Sequence, residues 1–400
     1  MAEPIPIYKR TGRGPVDSVD ESFYVPRFEL RQNGDLLDRE VMNDITQVTY
    51  KDAANAVDSF QLTVNNWDAT ARKMKYVGFP GDLRRGGNPK RDVFRVGSEL
   101  ELHLGYGSEL VPMITGKVRS VESDFPAAGA PSLTVHGLSV LDDFRKKQHT
   151  WSWTKKRDSD IAKELGQQPS SDDRPGLNFP VCVDARAAAS ESPEPYVVMY
   201  NQFDILFLLD RARRHGYSLY LKYDATTKKP CLYFGPPEAQ RDVVYELTWG
   251  RSLVQFRPVL ATAQQVMSTT VYGLNRRTNK QIKEKAQWRD VDINADLRDV
   301  PLGLEDRGEV IHGRPVHTVD EARALARDLL SEQLKKIVTA SGATVGLPNL
   351  RAGRKVHIQK VGQLFSGEYV LSETTHTLSE SGYRTTFSAY RVRDVKEDRQ

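Results

Sequence analysis

Cysteine is nearly absent: Cys182 and Cys231 are the only two in 400 residues. Two thiols so far apart in sequence exclude a disulfide-stapled scaffold. The expectation is a reduced, partly buried pair in a chain folded in a reducing cytoplasm. Long apolar runs are missing as well. The patch "ILFLL" at Ile205–Leu209 has the length of a helix face, not of a membrane span. The opening "MAEPIPIYKRTGRG" has no apolar stretch of the secretory kind, so no leader is expected. Charge of one sign is scarce: a formal net charge of +4 is too small to argue for nucleic acid.

Chemistry-bearing constellations are also missing. The eight histidines are scattered, and no pair has the spacing that puts two ligands on one helical face. His312 and His317 are separated by a proline and read as loop residues. "TGK" at Thr115–Lys117 lacks the upstream glycine of a phosphate loop, and "GYGSEL" leads into strand residues where a dinucleotide loop needs a helix. No nucleophile elbow occurs. Asp142-Asp143 and Asp172-Asp173 are neighbours whose side chains diverge, so they read as solvated carboxylates. His376 reads as a satisfied strand-end histidine. No catalytic residue, cofactor or metal ligand is nominated.

What is present is strands, and one hairpin written twice. "TGKVRSVESDFPAAGAPSLTVHGLSV" (Thr115–Val140) and "SGEYVLSETTHTLSESGYRTTFSAY" (Ser366–Tyr390) share an opening glycine, a polar alternating run, a turn glycine and a second alternating run. The similarity extends upstream, where "VFRVGSELELHL" and "LPNLRAGRKVHIQ" each carry a turn glycine (Gly97, Gly353) before an alternating strand. Arg27–Gln32 ends at Asn33-Gly34, a hairpin signal.

The expected organisation is an N-terminal arm over 1–23, ordered when something binds it, and a first β-barrel domain over 24–148. An α/β insert follows over 149–253, then a second β-barrel domain over 254–393, opening with "QQVMSTTVYGLN", and a charged tail over 394–400. In the insert, "DSDIAKELGQQ" is helical, and a second helix runs from an Asn201 cap to Gly216. In the second barrel, Thr318 and Glu321 form a capping box for a long helix over 319–340, whose apolar stripe includes Ile337 and Val338. The fold class is mainly β (α+β).

Between Arg72 and Arg95, eight basic residues (Arg72, Lys73, Lys75, Arg84, Arg85, Lys90, Arg91, Arg95) stand against Asp82 and Asp92. The stretch is rich in glycine and proline and reads as an exposed loop: either an electrostatic docking arm for an acidic partner protein or a polyanion, or simply a solvated loop. Its aromatics are limited to Tyr76 and Phe79, so no specific nucleic-acid binding is expected.

"YNQFDILFLLDRARRHGYSLYL", "LRAG" with "FSGEYVLSETTHTLSESGYRTTFSAYRV", and the opening "FELRQNGDLLDREVMNDITQVTYKDAANAVDSFQLTVNN" together resemble the phage late-control D family, the baseplate hubs of contractile tails. The resemblance spans about Phe28 to Val392, in order. It implies two tube-protein-like antiparallel β-barrels in a homotrimer, whose six barrels form a pseudo-sixfold ring between a hexameric inner tube and a trimeric spike. Partners implied are the inner tube or tube-initiator protein, baseplate wedge proteins and a spike. The related VgrG proteins fuse hub and spike, whereas here only "RDVKEDRQ" follows Val392, which implies a separate spike protein. Implied too are no enzyme activity, no membrane insertion by the chain itself, and synthesis in a bacterial cytoplasm followed by assembly into a particle. The competing expectation is a carbohydrate- or surface-binding β-sandwich module, which fits the strands and the five tryptophans but not the repeat.

Overall fold

Period-two alternation becomes strand wherever one face can be buried, and most of this chain folds on that rule. The computed structural model describes residues 8–11, 14–15, 25–32, 34–53, 56–76, 93–107, 109–214, 217–223, 230–236, 244–261, 266–275, 278–290, 307–312, 318–334 and 337–392. The arm contributes β1 (Tyr8–Thr11) and β2 (Gly14–Pro15). Next come β3 (Pro26–Gln32), β4 (Asp35–Leu36), helix α1 (Arg39–Asp44), β5 (Ile45–Ala53) and β6 (Ser59–Asn65). A small ribbon of β7 (Trp67–Asp68) and β8 (Lys73–Met74) precedes β9 (Glu99–Tyr106), β10 (Glu109–Asp124) and β11 (Ser132–Ser139). These strands lie in the order β4-β3-β9-β10-β11-β6-β5. Leu30, Leu62, Leu102, Leu104 and Val135 fill the enclosed face. A hairpin forms where the sequence predicts one, with Arg31 opposite Leu36 and Gly34 at φ 88°; Asn33 lies outside the described residues.

The insert follows: β12 (Gln148–Lys156), α2 (Asp158–Gln167), β13 (Val181–Val183), α3 (Ala185–Ser190), β14 (Glu194–Phe203), α4 (Asp204–Arg214), β15 (Ser218–Tyr223) and β16 (Pro230–Gly235). Helix α2 lies where its pattern predicts. Asn201 is not the cap of the next helix. It belongs to β14 at φ 45°, and α4 begins at Asp204; the helix stop expected at Gly216 lies outside the described residues. Ile161, Leu165, Leu208 and Phe234 form a core of the insert's own.

The cysteines depart from expectation. β13 and β16 pair in parallel, Val181 opposite Leu232, and Cys182 and Cys231 form a disulfide with Cα atoms 5.8 Å apart. Forty-nine residues of sequence collapse to neighbours because a parallel pair needs a long crossover. Sequence spacing alone hides this, and the argument for reduced thiols loses its premise. Opening the bond by Cys182→Ser is expected to cost about 2–4 kcal/mol through the freed loop. A thermal melt with and without reductant checks it: reductant should lower the wild-type midpoint and leave the variant's unchanged.

The second barrel starts earlier than its pattern suggests, with β17 (Val244–Thr248) and β18 (Leu253–Leu260). "QQVMSTTVYGLN" does not open it. Its strand β19 (Ser268–Asn275) joins β20 (Lys280–Gln287) and β21 (Gly308–Ile311) in a separate three-stranded sheet, order β20-β19-β21. Helix α5 (Val319–Leu334) follows Thr318 and buries Ala322, Ala326, Leu330 and Leu334 in the core that holds Val271 and Ile282. It ends short of the predicted bound, since Val338 opens β22 (Val338–Val345). The barrel is completed by β23 (Lys355–Gln359), β24 (Gly367–Ser379) and β25 (Gly382–Arg391), in the order β17-β23-β24-β25-β22-β18.

The two barrels share strand order and register. β3, β5, β6, β9, β10 and β11 occupy the places of β17, β18, β22, β23, β24 and β25. Gly116 faces Leu100 as Tyr369 faces Val356, and His136 faces Gln61 as Ser388 faces Ser341. The bulge at Val118/Ser120 recurs at Leu371/Glu373, and that at Ile45/Gln47 recurs at Leu253/Gln255. Gly97 and Gly353, at φ 93° and 83°, each donate to the strand beyond: to the carbonyls of Val118 (2.8 Å) and Leu371 (2.7 Å). One departure is β17, which runs parallel to β23 whereas β3 runs antiparallel to β9. Both barrels also cover a glycine with a cross-strand ring: Phe60 over Gly137, Phe387 over Gly342. A Cβ at either glycine would meet the ring at 2.1 or 2.3 Å.

The arm does not wait for a partner. Its segment Tyr8–Thr11 pairs antiparallel with β17 of its own chain, Tyr8 opposite Glu246.

Candidate functional site

The barrels meet where β5 of the first pairs antiparallel with β24 of the second, Ser379 opposite Gln47 through Glu373 opposite Ala53. One continuous sheet therefore runs through both. By the alternation of strand side chains, Val48, Tyr50 and Asp52 share a face with Leu378, His376 and Thr374, and this face is buried. The other face carries Thr49, Lys51, Thr375 and Thr377, with Lys51 and Glu373 ion-paired at 2.9 Å.

Onto the buried face comes Arg351 of the "LRAG" turn. Its guanidinium lies 4.7 Å from the Tyr50 ring centroid and 3.8 Å from an Asp52 carboxylate oxygen. It also donates to the carbonyls of Pro112 (3.0 Å) and Met113 (3.3 Å) at the start of β10. Arg351 thus reaches from the second barrel into three places of the first. The Asp52 carboxylate accepts from the Ala352 amide at 3.1 Å and from the Thr374 hydroxyl. Tyr106 donates to the Gly346 carbonyl at 2.9 Å, binding the barrels again.

His376 sits fully buried in the same cluster, in mid-strand, with both ring nitrogens engaged. Its Nε2 is 2.9 Å from the Leu350 carbonyl, which can only accept, so Nε2 carries the proton. Its Nδ1 accepts from the Tyr383 hydroxyl at 2.9 Å and lies 3.1 Å from that of Thr385. Burial, with the Arg351 charge adding to it, pushes its pKa down to about 3, so it is neutral at neutral pH. Asp58, which accepts from Tyr50 at 2.9 Å, is raised to about 7 by desolvation and by the charge of Asp52. Desolvation raises Asp52 too, against the pull of Arg351.

These two shifts have opposite signs. Asp58 contributes stability that is full below its unfolded value of 3.8 and is lost as pH rises through about 7. His376 contributes stability that is full above 6.5 and is lost as pH falls toward about 3. Between pH 4 and 6.5 they offset one another. Asp58→Asn removes one side of the balance. The stability difference between variant and wild type is expected to change by about 1.4 kcal/mol per pH unit over that window. Urea titrations at several pH values check the slope.

The cluster is a clamp: its polar groups are spent on each other. Two cavities lie on the opposite, polar face. One of about 310 Å³ is lined by Gln255, Ser341, Glu373, Thr375 and Arg384; another of about 210 Å³ by Thr49, Lys51, Gln61, His136 and Thr375. Thr375 lines both, so the two depressions share one surface across the barrel junction.

A second buried polar set holds the insert together. His149 Nδ1 is 2.7 Å from Asp204, but its Nε2 is engaged by the Ser171 carbonyl at 2.8 Å, so this is not an available acid–base pair. Arg211 is buried between Asp158, at 2.5 Å, and Glu194. Asp143, read as solvated, is bound by Lys117 and Arg119, which hold its carboxyl below the usual carboxylate range against a partial desolvation. Among the described residues, no group of three or more His, Cys, Asp or Glu is placed to hold a metal ion, and no helix is long and apolar enough to cross a membrane.

Of the basic stretch, Arg72 and Lys73 are exposed at the β7–β8 ribbon, while Lys75 is tied to Asp44 at 2.7 Å. Arg95 is exposed two residues before Gly97. Arg84, Arg85, Lys90 and Arg91 lie outside the described residues, as do His317 and the tail 394–400. His312 is exposed and stacked on Tyr272.

The model of one protein family, the Alg8 N-terminal domain, matches residues 27–380, a span that takes in the insert, Arg351 and His376 and stops just before β25. The chain belongs to the Alg8 N-terminal domain family. Comparison with curated proteins gives no match. Among solved structures, this Alg8 N-terminal domain member is similar to the 43 kDa tail protein of prophage MuSo2 from Shewanella oneidensis: TM-score 0.63, 14% identity, covering 92% of this chain and 98% of that one. A tail protein from Neisseria meningitidis gives TM-score 0.60 at 13% identity, covering 92% and 97%. An Escherichia coli component of the type VI secretion system, described as similar to T4 bacteriophage tail proteins gp27 and gp5, gives 0.50 at 11%, covering 91% and 77%. At these identities the likeness is one of fold. That fold is mainly β and is the fold of phage tail proteins.

Proposed function

We propose that the chain is the structural hub of a contractile tail or injection particle: three copies form a ring of six barrels joining a hexameric inner tube to a separate spike. The observation that carries this reading is the duplication in register. One chain with two barrels of the same strand order supplies two similar docking units, and three such chains match a sixfold object to a threefold one. The fold of its structural neighbours supports a place in a tail or baseplate. The polar face shared by the two depressions suits the wall of a channel through which cargo passes without sticking. The exposed basic residues Arg72, Lys73 and Arg95, with Arg84, Arg85, Lys90 and Arg91, serve docking to tube, spike or wedge proteins. The role is architectural, with no bond chemistry and no cofactor.

Light scattering over a concentration series tests it, alone and with the spike protein of the same particle co-expressed. The expected species is 135.6 kDa, three chains of 45.2 kDa. A stable dimer, or a chain that stays monomeric in both preparations, overturns the reading.

A further inference from the structure

The junction inside the chain leaves its counterpart open. Strand β24 pairs on one side with β25 along its length; on its other side β23 covers residues 367–370, and β5 covers 373–379. Strand β10 stands in the same place in the first barrel. On one side it pairs with β11 through Asp124, and on the other β9 covers residues 109–117. No described strand covers the segment from Arg119 to Asp124 on that second side, and five of those six residues are exposed. The counterpart of β5 is β18, which pairs along its length with β22 alone among the described strands. Its outer edge carries Val254, 56% exposed, and Val259, 47% exposed. Among the described residues the chain therefore holds one paired seam and two uncovered edges that match its halves.

We infer that a second copy of this chain closes those halves on each other, β18 of one copy adding antiparallel to β10 of the next in the register that β5 and β24 use within the chain. The number of copies rests on the hub reading; the seam does not. The bulges that match the strands fix the correspondence: Ser120 with Glu373, and Gln255 with Gln47. Carrying the internal register across puts Val121 opposite Leu260, Glu122 opposite Val259, Ser123 opposite Pro258 and Asp124 opposite Arg257. Phe125, 61% exposed, comes opposite Phe256.

Three of these five pairs are chemically matched. Asp124 and Arg257 are both exposed and of opposite charge. Val121 with Leu260 and Phe125 with Phe256 are apolar pairs. The polar clamp is not repeated: Tyr50, Asp52, Thr374 and His376 correspond to Pro258, Leu260, Val121 and Ser123. The seam between copies thus combines two apolar pairs and one ion pair with Glu122 opposite Val259 and Ser123 opposite Pro258, and Pro258 removes an amide donor from the edge strand, which guards it against indiscriminate pairing. Arg95 stands where Arg351 stands in the inner seam. The Ser98 amide donates to the Arg95 carbonyl at 2.9 Å, and the Arg354 amide to that of Arg351 at 3.2 Å. Because the two edges differ, the contact is head-to-tail and generates either a closed ring or a filament.

Cysteine pairing tests the seam. Directly opposed strand residues have Cβ atoms about 4.5–5.5 Å apart, close to disulfide reach. The double variant Asp124→Cys/Arg257→Cys is expected to form a ladder of bonded copies on a non-reducing gel, while each single variant and the wild type do not. In the Cys182–Cys231 background, a reduced lane identifies the new bonds. Charge reversal gives a second readout: Asp124→Arg or Arg257→Asp is expected to weaken assembly at least tenfold, and the reversed pair together to restore it. A ladder that stops at three supports both the seam and the hub. A ladder running beyond three supports the seam and overturns the ring of three. A 135.6 kDa species with no ladder, and unaffected by either reversal, overturns the seam and leaves the hub standing. No ladder and no assembly at any concentration overturns the seam as well.

Discussion

Arg351→Ala is expected to destabilise the protein by about 3 kcal/mol, the lower end of what breaking a buried ion contact costs, because the Arg351 side chain keeps 17% exposure and Asp52 10%. The reason is what the truncation leaves behind. Asp52 keeps its bonds to the Ala352 amide and Thr374 but loses the cation that opposes its desolvation. Two carbonyls at the start of β10 lose their donor, and the Tyr50 ring loses the cation above it. Since all of these belong to the first barrel, the loss appears as weakened coupling between barrels. Urea unfolding should change from one transition toward two, with hydrogen exchange rising along β5 and the second half of β24. A double-mutant cycle with Asp52→Asn isolates the pair: a coupling energy near zero would assign the effect to packing alone. Arg351→Lys should recover only part of the loss, because an ammonium lacks the planar fork that reaches carbonyls and carboxylate together.

A comparable loss, about 3–5 kcal/mol, is expected for Arg211→Met in the insert. Arg211 and Asp158 have side chains 4% and 1% exposed and lie 2.5 Å apart, while Glu194, at 38%, retains access to water. Removing the cation leaves the Asp158 carboxylate, 1% exposed in the first turn of α2, without the guanidinium that faces it. The effect should be confined to the insert, because its core is separate from those of the barrels. Limited proteolysis should therefore cut within 149–235 first. Arg211→Met combined with Asp158→Leu should regain most of the stability, since an apolar pair carries no desolvation cost. If the double variant were no more stable than the single one, desolvation of the Asp158 carboxylate would not be the cause.

Much of the barrel architecture was legible in the residues themselves. Alternation in "SFQLTVN" or "ELELHL" forces one face inward whatever the partner strand, and the glycines at 97, 353 and 382 mark turns because φ near +90° to +110° excludes other side chains. The repeated hairpin was visible for the same reason: equal period and equal turn chemistry produce the same register and even the same bulge. Errors fell where a local signal competed with a distant one. Asn201 looks like a cap, but its segment is already committed to pairing with β12. Val338 continues a helical stripe, yet it pairs with Leu260 of β18 and opens a strand.

What the sequence by itself determined is therefore local and periodic: which segments are strands, which faces they bury, and that one barrel is written twice. Only the tertiary structure decided which segments meet. Cys182 met Cys231 through a parallel crossover, and Asp52, Arg351 and Thr374 met across 299 and 322 residues of chain. Backbone periodicity acts over a few residues and leaves a mark in each segment. Long-range pairing is selected by the shape and burial of the assembled whole, and leaves no spacing behind to be read.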